Sequence, residues 1–264
     1  MRFGCCVGPA QAAAAAAAGG EFLELPTGAL TPEQPEDEFR TLREGLLASP
    51  APAEVWRLSL PESARWHSPE PDWAAVSRSV YTVARRAGAC GGSLLVCGRE
   101  LCQAPAGVSA DQARERLLEL ARLCVEMAEP QGMVVALEPA PEAECAALAS
   151  LAEAADMARA LGAGRAGVVA DAGSLARAEH SPLDVVDLAE WLAHVRMWAA
   201  DCAPESARAE WLAEFCAALE MADYEWRVAI TLADGGAPRS VRQALTSARE
   251  FIERALTRTH SRYG

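Results

Sequence analysis

The chain has 264 residues, of which 51% are hydrophobic and 23% charged, and its formal net charge at pH 7 is −13. This length allows one substantial core, and the negative charge argues against partnership with nucleic acid or with an anionic membrane surface. The sequence contains no lysine, which excludes a Schiff-base nucleophile, a pyridoxal-phosphate anchor and a P-loop lysine.

The cysteines and the N-terminal segment indicate a cytoplasmic protein. Nine cysteines are present, an odd number, and no C-x-x-C motif occurs. We therefore expect small buried thiols rather than disulfides or a zinc framework. Residues 1–7 and the alanine run 12–18 resemble a secretory signal, but the apolar stretch contains no leucine and also fits a first strand and first helix. No apolar stretch reaches the length of a transmembrane helix.

Short apolar runs bounded by Pro and Gly predict eight buried strands. They cover residues 3–7, 21–25, 55–60, 92–97, 133–138, 166–171, 194–200 and 227–232.

Helical segments alternate with these strands. They are predicted in the alanine run and over residues 31–48, 72–87, 109–129, 145–161, 182–193, 206–221 and 240–256. Ser109 has the character of an N-cap for the fourth of them. Strict β–α alternation implies a parallel sheet, and eight units in this length predict a single-domain (β/α)8 TIM barrel. An open doubly wound sheet is the alternative, but no G-x-G-x-x-G motif opens a helix.

The clearest element is residues 133–141, where an apolar run ends on Glu138 and two prolines follow. Functional groups of such barrels lie at the C-terminal ends of the strands. The residues predicted at those ends are Glu24, Trp66, His67, Arg99, Glu100, Glu138, Glu144, Asp171, Ser174, Trp198, Asp201, Thr231 and Asp234. This acidic and aromatic set suits a small sugar or polyol. The remaining histidines, His180, His194 and His260, are predicted to lie at the surface.

Three segments at strand ends resemble one family. They are Leu137-Glu138-Pro139 with Glu144 six residues after Glu138, Val168 to Asp171, and Val96 to Gly98 with Pro105 and Gly107. In this order they resemble the xylose isomerase-like barrels, in particular sugar epimerases and sugar-phosphate isomerases, over nearly the whole chain. The resemblance implies that a sugar or sugar phosphate binds at the barrel mouth. It implies Glu138 and Asp171 as catalytic candidates. The candidate ligand-binding residues are Glu144, His67, Trp66, Arg99, Trp198, Asp201 and Ser174.

The resemblance also implies a divalent metal site that this sequence has partly lost. The family holds Mn²⁺, Mg²⁺, Co²⁺ or Zn²⁺ with a Glu after strand five, an Asp after strand six, a His after strand seven and a Glu after strand eight. The first two positions fall on Glu138 and Asp171. The other two fall on Trp198 and Thr231, neither of which replaces the lost ligand, and the family's His three residues after the Asp is Ser174. We therefore expect no cofactor, or a weakly bound divalent metal.

Two carboxylates alone make a poor site for a hard cation, which wants about six ligands. Without a metal, Glu138 and Asp171 should repel, and one of them should have a raised pKa. A metal-free proton transfer would also need an electrophile, for which Arg99 or Arg196 is the candidate.

Two functions remain open from the sequence. The chain is either an isomerase or epimerase with an altered site, or a non-catalytic sugar-binding or regulatory pseudoenzyme. A barrel endonuclease is disfavoured, because that class uses a histidine-rich zinc cluster and a basic DNA-binding face.

Overall fold

The structure is a computed structural model that describes residues 1–103, 107–141, 147–203, 205–232 and 238–263. Within these residues, eight parallel strands close into a barrel in chain order, β1 against β8. The strands are β1 Arg2–Cys6, β2 Leu23–Pro26, β3 Ala53–Arg57, β4 Leu94–Cys97, β5 Val134–Leu137, β6 Ala166–Asp171, β7 Leu192–Trp198 and β8 Arg227–Thr231. The predicted (β/α)8 barrel is confirmed.

The outer layer consists of the helices α1 Ala12–Ala17, α2 Glu36–Leu47, α3 Trp73–Ala89, α4 Ala110–Ala128, α5 Leu151–Leu161, α6 Ala172–Arg177, α7 Ala209–Met221 and α8 Pro238–Tyr263. Ser109 caps α4 through a capping box with Gln112, as its position predicts. Across the described part of the chain, no helix combines the length and apolar character needed to cross a membrane.

The connection between β6 and β7 differs from the prediction. The helix expected over 182–193 is two 3₁₀ turns, Pro182–Val185 and Ala189–Trp191. The α-helix of this unit is instead α6, which starts immediately after Asp171 because the Asp171 carboxylate caps it by accepting from the Ser174 N–H. The carboxylate that the sequence predicts to be catalytic is therefore also the cap of this helix.

A separate cluster of buried apolar side chains fills the inside of the barrel. Its buried members are Cys6, Phe22, Val55, Leu94, Val96, Ala136, Val169 and Ala229. Several are small, and Gly4 lies against the ring of Phe22, where an added Cβ would come within 2.6 Å. These small residues leave space inside the barrel for two long polar side chains of β7, His194 and Arg196, both of which are buried.

The eight cysteines within the described residues are all buried free thiols, as predicted. Burial raises the pKa of Cys5 to about 12 and that of Cys90 to about 11, so these thiols stay protonated and unreactive near neutral pH.

Candidate functional site

Three carboxylates from different strands meet one guanidinium at the C-terminal mouth of the barrel. Arg196 Nη1 donates to Glu138 Oε1 at 2.5 Å and to Asp171 Oδ2 at 3.5 Å. Its Nη2 donates to Glu24 Oε1 at 2.5 Å, and its Nε to Glu24 Oε2 at 3.4 Å. All four side chains are buried, with Arg196 only 5% exposed. We call Glu24, Glu138, Asp171 and Arg196 the mouth cluster.

His194 supports the mouth cluster from inside the barrel. Its Nε2 lies 2.9 Å from Glu24 Oε2, and because an ionised carboxylate only accepts, Nε2 carries the proton. Burial lowers the pKa of His194 despite the neighbouring Glu24, so the ring is neutral at pH 7. The prediction that His194 lies at the surface is wrong, since its side chain is fully buried. It sits on the same inward face of β7 as Arg196, two residues away.

Arg57 adds a second positive charge to the mouth. It is the last residue of β3, and its Nε lies 3.4 Å from Glu24 Oε1. Its side chain is 29% exposed, and Nε makes no hydrogen bond within the described part of the chain. Because the Arg57 side chain is partly exposed, its guanidinium remains a charged group at the mouth.

The two glutamates bound to Arg196 have pKa values shifted in opposite directions. Burial raises the pKa of Glu24, but the charges of Arg196 and Arg57 and the His194 hydrogen bond outweigh it, so the pKa lies well below its usual range. The pKa of Glu138 is raised, first by burial and then by the charges of Asp171 and Glu24, which Arg196 only partly offsets. The predicted rise at one carboxylate is found at Glu138, with burial as its main cause.

Trp198 covers the Asp171 side of the cluster. Its indole Nε1 lies 3.3 and 3.4 Å from the two carboxylate oxygens of Asp171. The ring lies against Gly173, where an added Cβ would come within 2.7 Å of the indole. The Arg177 guanidinium lies 5.7 Å from the ring centroid on a cation–π contact and donates to Ser174 Oγ. Trp198 is partly exposed and forms one wall of the mouth.

Two other predicted ligand-binding residues, Trp66 and His67, lie in the connection between β3 and α3. Trp66 is buried against Trp73, with its indole donating to the Leu101 carbonyl. His67, next to it, is exposed. Arg116 holds this loop by donating to backbone carbonyls of residues 66, 68 and 69.

Asp201 pairs with Arg208 at 3.0 Å, and Arg99 is partly exposed in a 3₁₀ turn after β4. Glu144 and Asp234 lie outside the described residues. Within the described ranges, no group of three or more His, Cys, Asp or Glu side chains is arranged to hold a metal ion.

The sequence predicts Glu24 at the mouth but suggests no role for it. It gives no indication that Arg57 also lies there. It suggests Arg196 only as a possible electrophile. A usable signal was the alternation of His194, Arg196 and Trp198 in β7, because three polar or amphipathic side chains at every second position share one face of a strand.

The comparisons with known proteins agree with this fold. A family model described as xylose isomerase-like TIM barrel matches residues 12–229. No curated protein matches the chain. Among solved structures, D-allulose 3-epimerase from Methylomonas sp. is similar, with 18% identity, a TM-score of 0.77 and coverage of 97% of this chain and 98% of that one.

Two further structures resemble the chain over nearly their whole length. For 3-keto-D-glucoside 4-epimerase YcjR from E. coli, identity is 13%, the TM-score is 0.76, and 95% of this chain and 99% of that one are covered. For IolI with a bound zinc atom, identity is 12%, the TM-score is 0.72, and coverage is 98% and 99%. At such identities these likenesses show the fold alone.

Proposed function

Because the chain belongs to the xylose isomerase-like TIM barrel family, we propose that it binds a sugar or polyol at the C-terminal mouth of its barrel without carrying out metal-dependent isomerisation. Several structural neighbours are sugar epimerases, and one of them is described with D-allulose bound. The ligand class comes from these neighbours. The absence of metal-dependent isomerisation is inferred from the mouth cluster, in which Arg196 pairs with Glu24, Glu138 and Asp171.

The observation that carries the proposal is the engagement of both catalytic candidates by Arg196. Glu138 has one oxygen 2.5 Å from the guanidinium, and Asp171 is shared among Arg196, the Trp198 indole and the α6 N-terminus. Both carboxylates are buried. A proton-transferring base must reach the substrate at hydrogen-bond distance, and neither carboxylate is exposed to do so.

The donor set also does not fit a divalent metal. A guanidinium lies among the carboxylates that would have to approach the ion, and at about 4 Å two unit positive charges repel by about 4 kcal/mol at an effective dielectric constant of 20. The position of the family's histidine carries the Trp198 indole, which cannot ligate, and its strand-eight carboxylate position carries Thr231.

Ligand binding at the mouth is supported by the groups that remain available there. The partly exposed indole of Trp198 offers apolar surface for a sugar ring. The partly exposed Arg57 guanidinium beside Glu24 adds a positive charge suited to hydroxyl groups or to the phosphate of a sugar phosphate.

A metal-free isomerase is the second candidate, and one observation favours it. Glu138 combines a raised pKa with direct contact to a guanidinium, which are the features of an acid/base group beside an electrophile. This candidate requires Glu138 to become accessible when ligand binds.

Calorimetric titration with D-allulose, D-fructose, a cyclic polyol and a sugar phosphate tests the binding. Trp198→Ala is expected to weaken the binding of the preferred ligand by at least about tenfold, roughly 1.4 kcal/mol. Trp226→Ala is the matched control, because that indole is 64% exposed at the opposite end of the barrel, and it should leave binding unchanged.

The same ligands incubated in D₂O, with and without Mn²⁺, test catalysis by NMR. The proposal expects no deuterium incorporation under either condition. Incorporation that requires Mn²⁺ would contradict the proposal, and incorporation without metal would establish the second candidate. Absence of binding by every ligand in the panel would remove the sugar-binding assignment.

A further inference from the structure

We infer that the Arg196 guanidinium is a built-in cation standing in place of a divalent metal, held in a cation site formed by Glu24, Glu138 and Asp171. This inference concerns the charges of the mouth cluster and does not depend on which ligand the mouth binds. It predicts that the site, once emptied of its guanidinium, accepts a cation from solution.

The three carboxylates surround the Arg196 guanidinium, and each of them contacts it directly. Glu24 lies in β2, Glu138 directly follows β5 and Asp171 ends the neighbouring β6, and each directs at least one oxygen to an Arg196 nitrogen. The planar guanidinium, with five donors in a fixed fork, bonds to all three carboxylates at once. The carboxylates therefore meet through the guanidinium.

The register of the barrel explains how β7 delivers this cation. Arg196 is paired with Asp171 on one side and with Ala229 on the other. Ala229 and Ala136 are small members of the interior cluster, so the long side chain has room to cross the barrel to Glu24. His194 lies 2.9 Å from the other oxygen of Glu24, Oε2. This contact holds the carboxylate in place to accept from Arg196 Nη2.

The charge supplied to the carboxylates matches that of a divalent ion. Arg196 pairs with Glu24, Glu138 and Asp171, and Arg57 pairs with Glu24, so two positive charges lie beside the three carboxylates. Contact with Glu138, Glu24 and Asp171 holds the pKa of Arg196 well above its ordinary value despite burial, so the guanidinium is charged at every relevant pH. A permanent pair of cations has the same formal charge as one bound metal, and it cannot be removed by chelation.

Removing the guanidinium is the direct test. Arg196→Ala is expected to lower the melting temperature by about 10 °C, because it leaves buried carboxylates without their cation. Methylguanidinium, a mimic of the lost group, should restore much of that loss, and Mn²⁺ should do so as well. At about 100 times its Kd, either cation should raise the melting temperature by about 5 °C or more.

Arg86→Ala is the matched control. Arg86 is also a buried arginine, but it donates to the backbone carbonyls of Thr31 and Gln34 and to the single carboxylate of Glu36. Its loss should destabilise the protein without creating a cation site. Calorimetry with Mn²⁺ and melting curves with methylguanidinium are run on wild type and both variants, and only Arg196→Ala should respond.

A second variant covers the case in which Arg196→Ala does not fold. Arg196→Ala combined with Glu138→Gln removes one buried negative charge and retains Glu24 and Asp171, so it should fold more readily and bind cations more weakly. If the folded variant responds to neither methylguanidinium nor Mn²⁺ more than Arg86→Ala does, the inference is overturned. Wild-type stability in Arg196→Ala would overturn it equally.

Discussion

Replacing Glu24 by glutamine is expected to lower the free energy of unfolding at pH 7 by about 3–5 kcal/mol. Glu24 is fully buried and bonded to Arg196 and His194, with Arg57 beside it. The amide keeps the shape of the side chain but removes the negative charge, so it leaves a buried guanidinium with a weaker partner. Urea denaturation of wild type and variant measures the difference.

The pH dependence of this loss follows from the lowered pKa of Glu24. A carboxyl group with a lower pKa in the folded state contributes stability that is present above its unfolded pKa, about 4.3, and is lost as the pH falls through the folded value. The stability difference between wild type and Glu24→Gln should therefore be full at neutral pH and shrink in strong acid. Glu129→Gln, which breaks an exposed pair with Arg165, should cost no more than about 1 kcal/mol.

Glu138→Gln is the informative comparison, because Glu138 binds the same guanidinium with a raised pKa. Its folded form holds the proton more tightly than the unfolded form, so its contribution is full below the unfolded pKa and falls as the pH rises through the folded value. A neutral amide avoids that loss, and stability at pH 7 should stay near wild type or rise. A loss as large as that of Glu24→Gln would show that Glu138 is ionised and stabilising.

Restoring the family's two missing ligands should create a metal site only after Arg196 is removed. The sequence alone predicts that Trp198→His with Thr231→Glu gathers four ligands with Glu138 and Asp171. The structure adds that Arg196 already bonds to Glu138 and Asp171, two of these four groups. We expect the double variant to bind Mn²⁺ little better than wild type, and the triple variant with Arg196→Ala to bind it at least about 100-fold more tightly, a difference of roughly 2.7 kcal/mol.

Calorimetric titration of the double and triple variants decides this second prediction. Binding by the triple variant should weaken at low pH, where the carboxylates and the introduced imidazole are protonated. Tight Mn²⁺ binding by the double variant with Arg196 intact would mean that the guanidinium does not compete for the site. A folded triple variant without binding would mean that the four strand ends do not converge.

The fold could be predicted because it follows from local patterns. Each strand is an apolar run ended by Pro, Gly or a charged residue, and β–α alternation leaves few topologies. The element that deviated was the β6–β7 connection, where the Asp171 side chain caps a helix that the apolar pattern does not reveal. Whether Asp171 caps the helix depends on the direction of its side chain, and the spacing of apolar residues in the sequence carries no information about that direction.

The partners of the site residues could not be predicted in the same way. Glu24 and Arg196 lie 172 residues apart, on strands that are not neighbours in the barrel. Their contact depends on barrel closure and on which layer each side chain occupies. His194 was misplaced for a related reason: its alternation with Arg196 and Trp198 puts the three side chains on one face of β7, but the alternation alone does not say which face points inward. The expected repulsion between Glu138 and Asp171 likewise omitted the cation that lies between them.

The metal content of the wild-type protein tests the central claim most directly. The protein is incubated with Mn²⁺, Co²⁺ and Zn²⁺ in turn, dialysed, and analysed by elemental mass spectrometry, with Arg196→Ala treated in parallel. Because Arg196 and Arg57 already supply the positive charge at the mouth, wild type should retain only traces of each metal, while Arg196→Ala retains more. A stoichiometric metal ion in wild type, with Arg196 present, would contradict the assignment of Arg196 as the built-in cation.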